Sequence, residues 1–405
     1  MAVSQSYQLT PENVRIAKVI AKETKQSYYT VADKLFFMKD DALRYASSKG
    51  IRLSDVKFSF FDDEYTSLDW TVDPTDSLQE LYKQRAQQIR DNYDYVMLAY
   101  SGGADSTNVL QTFVANNIKL DEIVSFYPIK AVESSTSMYD PHKRSAKNIS
   151  FEWVYTAKPI MKLMSNRGYK CTALDWTDHT QSVITSGHIG DCFRGGMAAN
   201  QMSSGMYMLA EHARKHEAST GQRVAIIYAI DKPRLIFDTI KKMFGLRFDD
   251  FNNSFWFKSD SLGYTPNIEL FYYAPDFPKL VQKQCFVTKE AILNLTKSNP
   301  RLLSMLYDKV GSTMVFKPHD DFFKLILYPK WDVTTYQAEK ATTQLYGTDQ
   351  AAFWYCRDSI VSTSNKLRFV SQVNELISGI SDEFFDYRNG SKLKMKTIHT
   401  DTIWF

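Results

Sequence analysis

The sequence predicts an α/β fold with a doubly wound, mostly parallel sheet. Residues 95–100 and 122–127 are nearly continuous apolar runs of strand length, which is typical of strands covered on both faces. A helix predicted over 105–117 separates them, so this part of the chain is a right-handed strand–loop–helix–strand crossover. Further strand candidates follow along the chain at 151–155, 169–174 and 224–230.

We expect a small α+β unit in residues 1–75, before this crossover. Thr10-Pro11 is typical of the cap and first position of a helix, which we predict to about residue 25. A second helix should run from Asp40 to Gly50, where glycine suits a left-handed cap. Residues 76–260 then form the domain that contains the sheet, and residues 261–405 read as a mixed, helix-rich C-terminal lobe.

The composition is that of a globular protein, with 44% hydrophobic and 23% charged residues among 405. No apolar run approaches the roughly 18 residues of a membrane helix, so we expect no membrane partner. The four cysteines lie far apart, which favours free thiols in a reducing compartment and a cytoplasmic location. A net charge of +3 gives no general case for nucleic acid, although a local basic patch stays possible.

The loop Ser101-Gly102-Gly103-Ala104-Asp105-Ser106 follows the first buried strand and opens the helix. Gly102 and Gly103 permit the positive φ values and close backbone approach of a sharp turn. Backbone N–H groups at a helix start, with the hydroxyls of Ser101 and Ser106, are typical of a phosphate site. Asp105 would repel phosphate unless a cation lies between them, so it suggests Mg²⁺. The sequence therefore predicts a site for ATP and Mg²⁺; the alternative is a strand–turn–helix corner without a ligand.

This segment resembles the S-G-G-x-D-S motif of the PP-loop ATP pyrophosphatases, which have the adenine nucleotide alpha-hydrolase-like (HUP-type) fold. The resemblance implies cleavage of ATP between the α- and β-phosphates, with adenylation of a substrate and release of pyrophosphate. It implies that the loop serines, glycines and Asp105 hold pyrophosphate and Mg²⁺. It also implies that adenine lies near Phe126 and Tyr127. The resemblance covers roughly residues 95–235.

A second segment, Ser186-Gly187-His188-Ile189-Gly190-Asp191-Cys192-Phe193-Arg194-Gly195-Gly196, resembles the S-G-x-G-x-D-E-x-x-G-G segment of the asparagine synthetase-like branch. The resemblance implies that Asp191 is a second magnesium ligand beside Asp105, and that Ser186 and Gly187 bind the nucleotide. His188 and Cys192 replace acidic residues of the relatives, and Ile189 replaces a glycine. The acid lost at position 188 assists carboxylate activation in those relatives, so the substrate chemistry stays open. A glycine-rich loop with no ligand role is the alternative.

Other branches of that superfamily fit the sequence less well. The glutaminase-containing members carry a cysteine directly after the initiator methionine, where this chain has Ala2. We therefore expect no glutaminase, so the amine would arrive free, from a separate donor protein, or within the substrate. Sulfur-inserting and zinc-containing branches use paired or clustered cysteines, which this chain lacks. A tRNA-modifying ligase remains conceivable, but the charge is a weak footprint for tRNA.

Several isolated residues allow both a functional and a structural interpretation. Lys232 and Arg234 follow the strand candidate 224–230 at the ligand edge of a parallel sheet, where a cation could neutralise phosphate or acyl-adenylate charge; a solvated turn is equally compatible. Basic residues near position 145 favour a solvated helix face over phosphate contact. His212 and His216 have a spacing that can present two metal ligands, but the flanking basic residues disfavour it.

We therefore expect an ATP-dependent, AMP-forming ligase that adenylates a small-molecule substrate, a carboxylate by preference, and transfers it to an amine or ammonia. Asp105, Asp191 and Lys232 are its expected catalytic residues. One alternative is a catalytically silent nucleotide-binding or scaffold protein, which His188 and Cys192 favour. Another is a PP-loop enzyme that modifies a nucleic-acid base.

Overall fold

The computed structural model describes residues 6–24, 26–127, 129–130, 152–186, 204–230, 232–250, 266–317, 321–328, 330, 368, 371–372, 374–375, 377–388 and 391–405. The helices in these residues are α1 (Pro11–Thr24), α2 (Lys39–Lys49), α3 (Asp62–Thr66), α4 (Leu78–Asn92), α5 (Ala104–Ala115), α6 (Lys158–Asn166), α7 (Thr177–Ser186), α8 (Ser204–Thr220), α9 (Lys279–Ser298), α10 (Pro300–Met305) and α11 (Asp321–Leu327). The strands are β1 (Ser6–Gln8), β2 (Tyr28–Val31), β3 (Lys34–Phe36), β4 (Val56–Ser59), β5 (Tyr95–Ala99), β6 (Glu122–Tyr127), β7 (Lys170–Asp175), β8 (Val224–Tyr228), β9 (Arg234–Asp238), β10 (Met243–Arg247), β11 (Asn267–Leu270), β12 (Tyr307–Val310), β13 (Thr313–Phe316), β14 (Phe385–Arg388), β15 (Ser391–Met395) and β16 (Ile403–Trp404).

A five-stranded parallel sheet in the order β11-β8-β5-β6-β7 carries the candidate site. β5 and β8, its central strands, are buried along their whole length, as their continuous apolar runs predict. From β5 the chain adds β6 and β7 on one side, then returns to add β8 and β11 on the other. In such a sheet, ligands bind outside the carboxyl ends of the strands where the order reverses, which here is between β5 and β8.

The other strands form antiparallel sheets around this centre. β1-β3-β2-β4 make a four-stranded sheet in the N-terminal part of the chain. β12-β13-β9-β10-β16 make a five-stranded sheet, and β14 pairs with β15. One continuous cluster of buried side chains extends from Ala17 to Ile398, so these sheets share a hydrophobic core. The guanidinium of Arg85, fully buried on α4, joins the parallel sheet through a 2.6 Å ion pair with Glu269 of β11.

The predicted α/β class, with a parallel sheet and helices, is confirmed. Thr10 caps α1 through its hydroxyl, which accepts from the Asn13 amide at 3.1 Å, and Gly50 ends α2 with φ of +64°. The strands predicted at 95–100, 122–127, 169–174 and 224–230 are all present. The parallel sheet extends past residue 260, because β11 is its edge strand next to β8.

The strand predicted at 151–155 is wrong, because residues 152–157 form a π-helical turn. Trp153, Thr156 and Ala157 are its buried residues, at 4% exposure or less. Their spacing of three and four residues is that of a helical face, which a short apolar run does not reveal on its own.

Candidate functional site

The Ser-Gly-Gly-Ala-Asp-Ser loop lies at the carboxyl end of β5, beside β8, where the strand order of the sheet reverses. Hydrogen bonds within the loop fix its shape. The Ser101 amide donates to the Ser106 hydroxyl at 3.3 Å, the two hydroxyls lie 3.2 Å apart, and the Gly103 amide donates to the Ser101 hydroxyl at 3.3 Å. The Ser106 hydroxyl also contacts the Gly103 carbonyl at 3.2 Å. The two serine hydroxyls therefore stabilise the turn through hydrogen bonds within the loop. This structural role is in addition to the ligand contact that the sequence predicts.

The two glycines of the loop differ in what they require. Gly102 adopts φ of +74°, as predicted for a sharp turn. A Cβ on Gly102 would lie 2.9 Å from the Ala157 amide nitrogen and 3.1 Å from the Thr156 Cβ. Gly103 has φ of −77°, so the expected positive φ is wrong for this residue. The π-helical turn lies so close to Gly102 that it leaves no space for a side chain at this position.

The loop ends at the N-terminus of α5, which has no side-chain cap. Gly103 is the N-cap residue and supplies no side-chain cap to the helix. The first N–H groups of a helix have no partners within it, and the positive end of the helix dipole lies there. Backbone N–H groups at the start of α5 and the hydroxyls of Ser101 and Ser106 are the kinds of donor that occur at phosphate sites.

Asp105, in the first turn of α5, is the centre of a buried polar cluster. Its Oδ1 lies 2.5 Å from Nζ of Lys232, which the chain brings in from just beyond β8. The Lys232 side chain is 1% exposed and that of Asp105 is 25% exposed, so the lysine approaches from the protein interior. The same Oδ1 accepts a hydrogen bond from the hydroxyl of Tyr328, a residue directly after α11. The predicted neighbourhood of Asp105 and Lys232 is therefore present, and Tyr328 is a member that sequence reasoning missed.

A second tyrosine holds the backbone of the same residue. The Tyr272 hydroxyl donates to the Asp105 carbonyl oxygen at 3.0 Å and accepts from the Asn108 side-chain amide at 2.9 Å. Burial raises the pKa of both Tyr272 and Tyr328 well above the usual value, and the charge of Asp105 adds to the effect at each. Both phenols are therefore protonated at neutral pH and act as donors. The signal in the sequence was only an aromatic segment after β11, compatible with packing alone.

Phe126 and Tyr127, near which the sequence predicts adenine, lie at the end of β6. The Tyr127 hydroxyl donates to the Ser101 carbonyl oxygen at 2.5 Å, which fixes the start of the loop. The Phe126 ring is half-buried, and a Cβ on Gly205 would lie 2.6 Å from it. The Trp176 amide continues the strand pairing by donating to the Tyr127 carbonyl at 3.2 Å. These aromatic side chains shape the sheet edge, and Phe126 is in contact with the start of α8.

Of the second predicted segment, residues 186–196, the structure describes only Ser186. Ser186 is the last residue of α7 and is exposed. Gly187, His188, Asp191 and Cys192 lie outside the described residues, as do the remaining matched residues of that segment, Gly195 and Gly196. Among the residues described, no group of three or more His, Cys, Asp or Glu side chains is arranged to hold a metal ion.

The other sequence candidates have structural partners away from the loop. His212 lies 2.9 Å from the buried carboxylate of Glu122, and His216 lies 2.9 Å from the Gln222 side chain. Arg234 begins β9 and pairs with Asp249 at 3.0 Å, so it belongs to the antiparallel sheet.

The chemistry of these donors fits the phosphates of a nucleotide. The α5 N-terminus and two serine hydroxyls suit phosphate oxygens, and Lys232 supplies a cation close to them. For Mg²⁺, Asp105 is the carboxylate that the described part of the loop offers, with a quarter of its side chain exposed. Oδ1 of Asp105 already accepts hydrogen bonds from Lys232 and Tyr328, and these contacts fix the orientation of the carboxylate.

Comparison of the sequence with protein-family models and with curated proteins finds no match. In the described residues, no helix is both long enough and apolar enough to cross a membrane. The interpretation of the site therefore rests on the residues themselves and on their geometry.

Proposed function

We propose that the protein is an AMP-forming, ATP-dependent ligase with the doubly wound, HUP-type form of the α/β fold. The observation that carries the proposal is the phosphate-binding donor set of the S-G-G-x-D-S loop at the point where the strand order reverses, together with Lys232 beside Asp105. The strand order β11-β8-β5-β6-β7, with the loop after β5, supports the doubly wound description.

The chain's own residues have distinct tasks in this proposal. The amides of the α5 N-terminus and the hydroxyls of Ser101 and Ser106 hold the β- and γ-phosphates as the leaving group. Lys232 adds positive charge next to them, which stabilises the negative charge that develops as the α–β bond breaks. Mg²⁺ bound through Asp105 would neutralise further charge on the pyrophosphate. A substrate oxygen, by preference from a carboxylate, attacks the α-phosphorus and displaces pyrophosphate. An amine or ammonia then attacks the adenylated substrate, with release of AMP and a proton.

The products of ATP labelled in the α-phosphate test this mechanism. Incubation with Mg²⁺, candidate carboxylates and ammonia should give labelled AMP together with inorganic pyrophosphate. The Asp105→Asn variant should lose this activity, whereas Asp308→Asn, which changes a carboxylate 71% exposed on β12, should retain it. Labelled ADP with inorganic phosphate would contradict the proposed cleavage position.

A catalytically silent nucleotide-binding protein is the second candidate. One observation favours it: Oδ1 of Asp105 already accepts from both Lys232 and Tyr328. For such a protein, ATP would raise the melting temperature in calorimetry, yet no pyrophosphate would form with any acceptor. Pyrophosphate release with any one acceptor excludes this candidate.

A further inference from the structure

The polar cluster around Asp105 contains a residue from a distant part of the chain. Tyr328 follows α11 and lies 223 residues from Asp105 in sequence, and its hydroxyl donates to Oδ1 of that aspartate. Tyr328 is 1% exposed, and its ring lies 5.5 Å from the Lys232 ammonium. A cation over an aromatic face is attracted to it, so the ring also helps to hold the lysine in the interior.

We propose that Tyr328 is a positioning residue of the nucleotide loop, which fixes the Asp105 carboxylate in the orientation that binding of Mg²⁺ requires. The inference rests on the proposed function. Oδ1 is held by a phenol and an ammonium from the interior, so the carboxylate does not rotate freely in the first turn of α5. A group that is fixed before binding loses little conformational freedom when the ligand arrives, so the affinity is higher.

The backbone contact of the second tyrosine strengthens the inference. Tyr272 donates to the Asp105 carbonyl oxygen, and its ring lies 5.7 Å from the Tyr328 ring at a tilt of 30°. The aspartate is therefore held at its side chain by one tyrosine and at its backbone by the other. Both rings are at most 1% exposed, which means that they reach the loop from within the core and cannot themselves contact a substrate.

The neighbouring Tyr82 provides a matched control. It is 2% exposed, and its hydroxyl donates to the Leu327 carbonyl, one residue before Tyr328, at 2.9 Å. The Tyr82→Phe and Tyr328→Phe variants each remove one buried phenol hydroxyl from the same region. The Tyr328 hydroxyl contacts the Asp105 carboxylate, whereas the described contacts of the Tyr82 hydroxyl are with the Leu327 carbonyl and the Gln284 side-chain amide.

Calorimetric titration with ATP, with MgCl₂ and again with EDTA, tests the proposal on the full chain. Tyr328→Phe should weaken binding of ATP with Mg²⁺ by about tenfold, the size expected for one hydrogen bond to a charged group, and should leave metal-free binding unchanged. Tyr82→Phe should change neither affinity. Equal effects of the two variants would overturn the role of Tyr328, with the proposed function intact. Absence of ATP binding by the unsubstituted protein would overturn the proposed function and this inference together.

A double-mutant cycle on urea unfolding adds a readout that needs no nucleotide. Tyr328→Phe should shift the folding equilibrium by a larger factor in the original chain than in the Asp105→Asn variant, because the partner charge is then absent. Tyr82→Phe should shift it by the same factor in both backgrounds. Additivity of Tyr328→Phe with Asp105→Asn would show that the two groups do not interact, and would overturn the positioning role.

Discussion

Replacing Gly102 with alanine should destabilise the fold more than alanine at either Gly50 or Gly103. At φ of +74° an alanine suffers the left-handed penalty of about 1–2 kcal/mol. Its Cβ would also lie 2.9 Å from the Ala157 nitrogen, a backbone atom that cannot rotate away. Over-packing of this kind costs typically about 1–3 kcal/mol, so we expect a total loss of roughly 2–5 kcal/mol.

Two other glycines separate these contributions. Gly50 has φ of +64° with nothing within 4 Å of its Cβ position, so Gly50→Ala should show the conformational penalty alone, about 1–2 kcal/mol. Gly103 has φ of −77°, and its Cβ would lie 3.4 Å from the Ser101 hydroxyl oxygen. Gly103→Ala should therefore be near neutral, within about 1 kcal/mol, since alanine also restricts the unfolded chain.

Urea unfolding followed by tryptophan fluorescence measures the three variants under one set of conditions. The unfolding midpoints should fall in the order Gly103→Ala, Gly50→Ala, Gly102→Ala, from highest to lowest. A Gly102→Ala midpoint equal to that of Gly50→Ala would mean that the loop does not press on the π-helical turn. That result would refute the interpretation of Gly102 as a packing glycine.

Three further substitutions test the charged groups. Lys232→Met should lower the free energy of unfolding, measured with urea, by about 3 kcal/mol, because it leaves Asp105 without its buried cation. Adding Asp105→Asn to the Lys232→Met variant should restore part of this loss. Burial opposes ionisation of Glu122, but the hydrogen bonds it accepts, the first from His212, outweigh burial and lower its pKa to about 2. The stability that this carboxylate contributes is therefore complete above about pH 4.5 and is lost as the pH falls towards 2, so Glu122→Gln should flatten the acid side of the stability curve, measured by melting temperature. Arg85→Met should destabilise the fold by about 3–5 kcal/mol in urea unfolding, because Glu269 would stay buried with an unpaired charge.

Much of the parallel sheet could be predicted, because β5, β6 and β8 are buried along almost their whole length and their own residues carry the signal. The apolar pattern of residues 95–100 and 224–230 predicts strands by itself, without information on which strands lie beside them. The edge strand β11 is different, since Asn267–Leu270 is only four residues long and precedes an aromatic segment. Its place next to β8 depends on a pairing between distant residues, which a local pattern does not contain.

The loop itself was predictable for a similar reason. Its glycines, serines and aspartate are contiguous, and their order between a strand and a helix is informative by itself. The contacts of Asp105 with Tyr272 and Tyr328 join residues more than 160 positions apart. Aromatic residues are common in cores, so nothing in the local sequence separates a tyrosine that holds a carboxylate from one that only packs.

Lys232 and Arg234 show for which residues after a parallel strand the position in sequence predicts a place at the ligand edge of the sheet. Both follow β8, and the rule places residues after a parallel strand at the ligand edge. Lys232 lies in the connection and reaches Asp105, whereas Arg234 is already the first residue of β9 and pairs with Asp249. Lys232 and Arg234 have different partners because β9 begins at Arg234. From that residue onward the side chains pack and pair within the antiparallel sheet. The candidate site therefore takes its cation, Lys232, from the short connection between the two sheets.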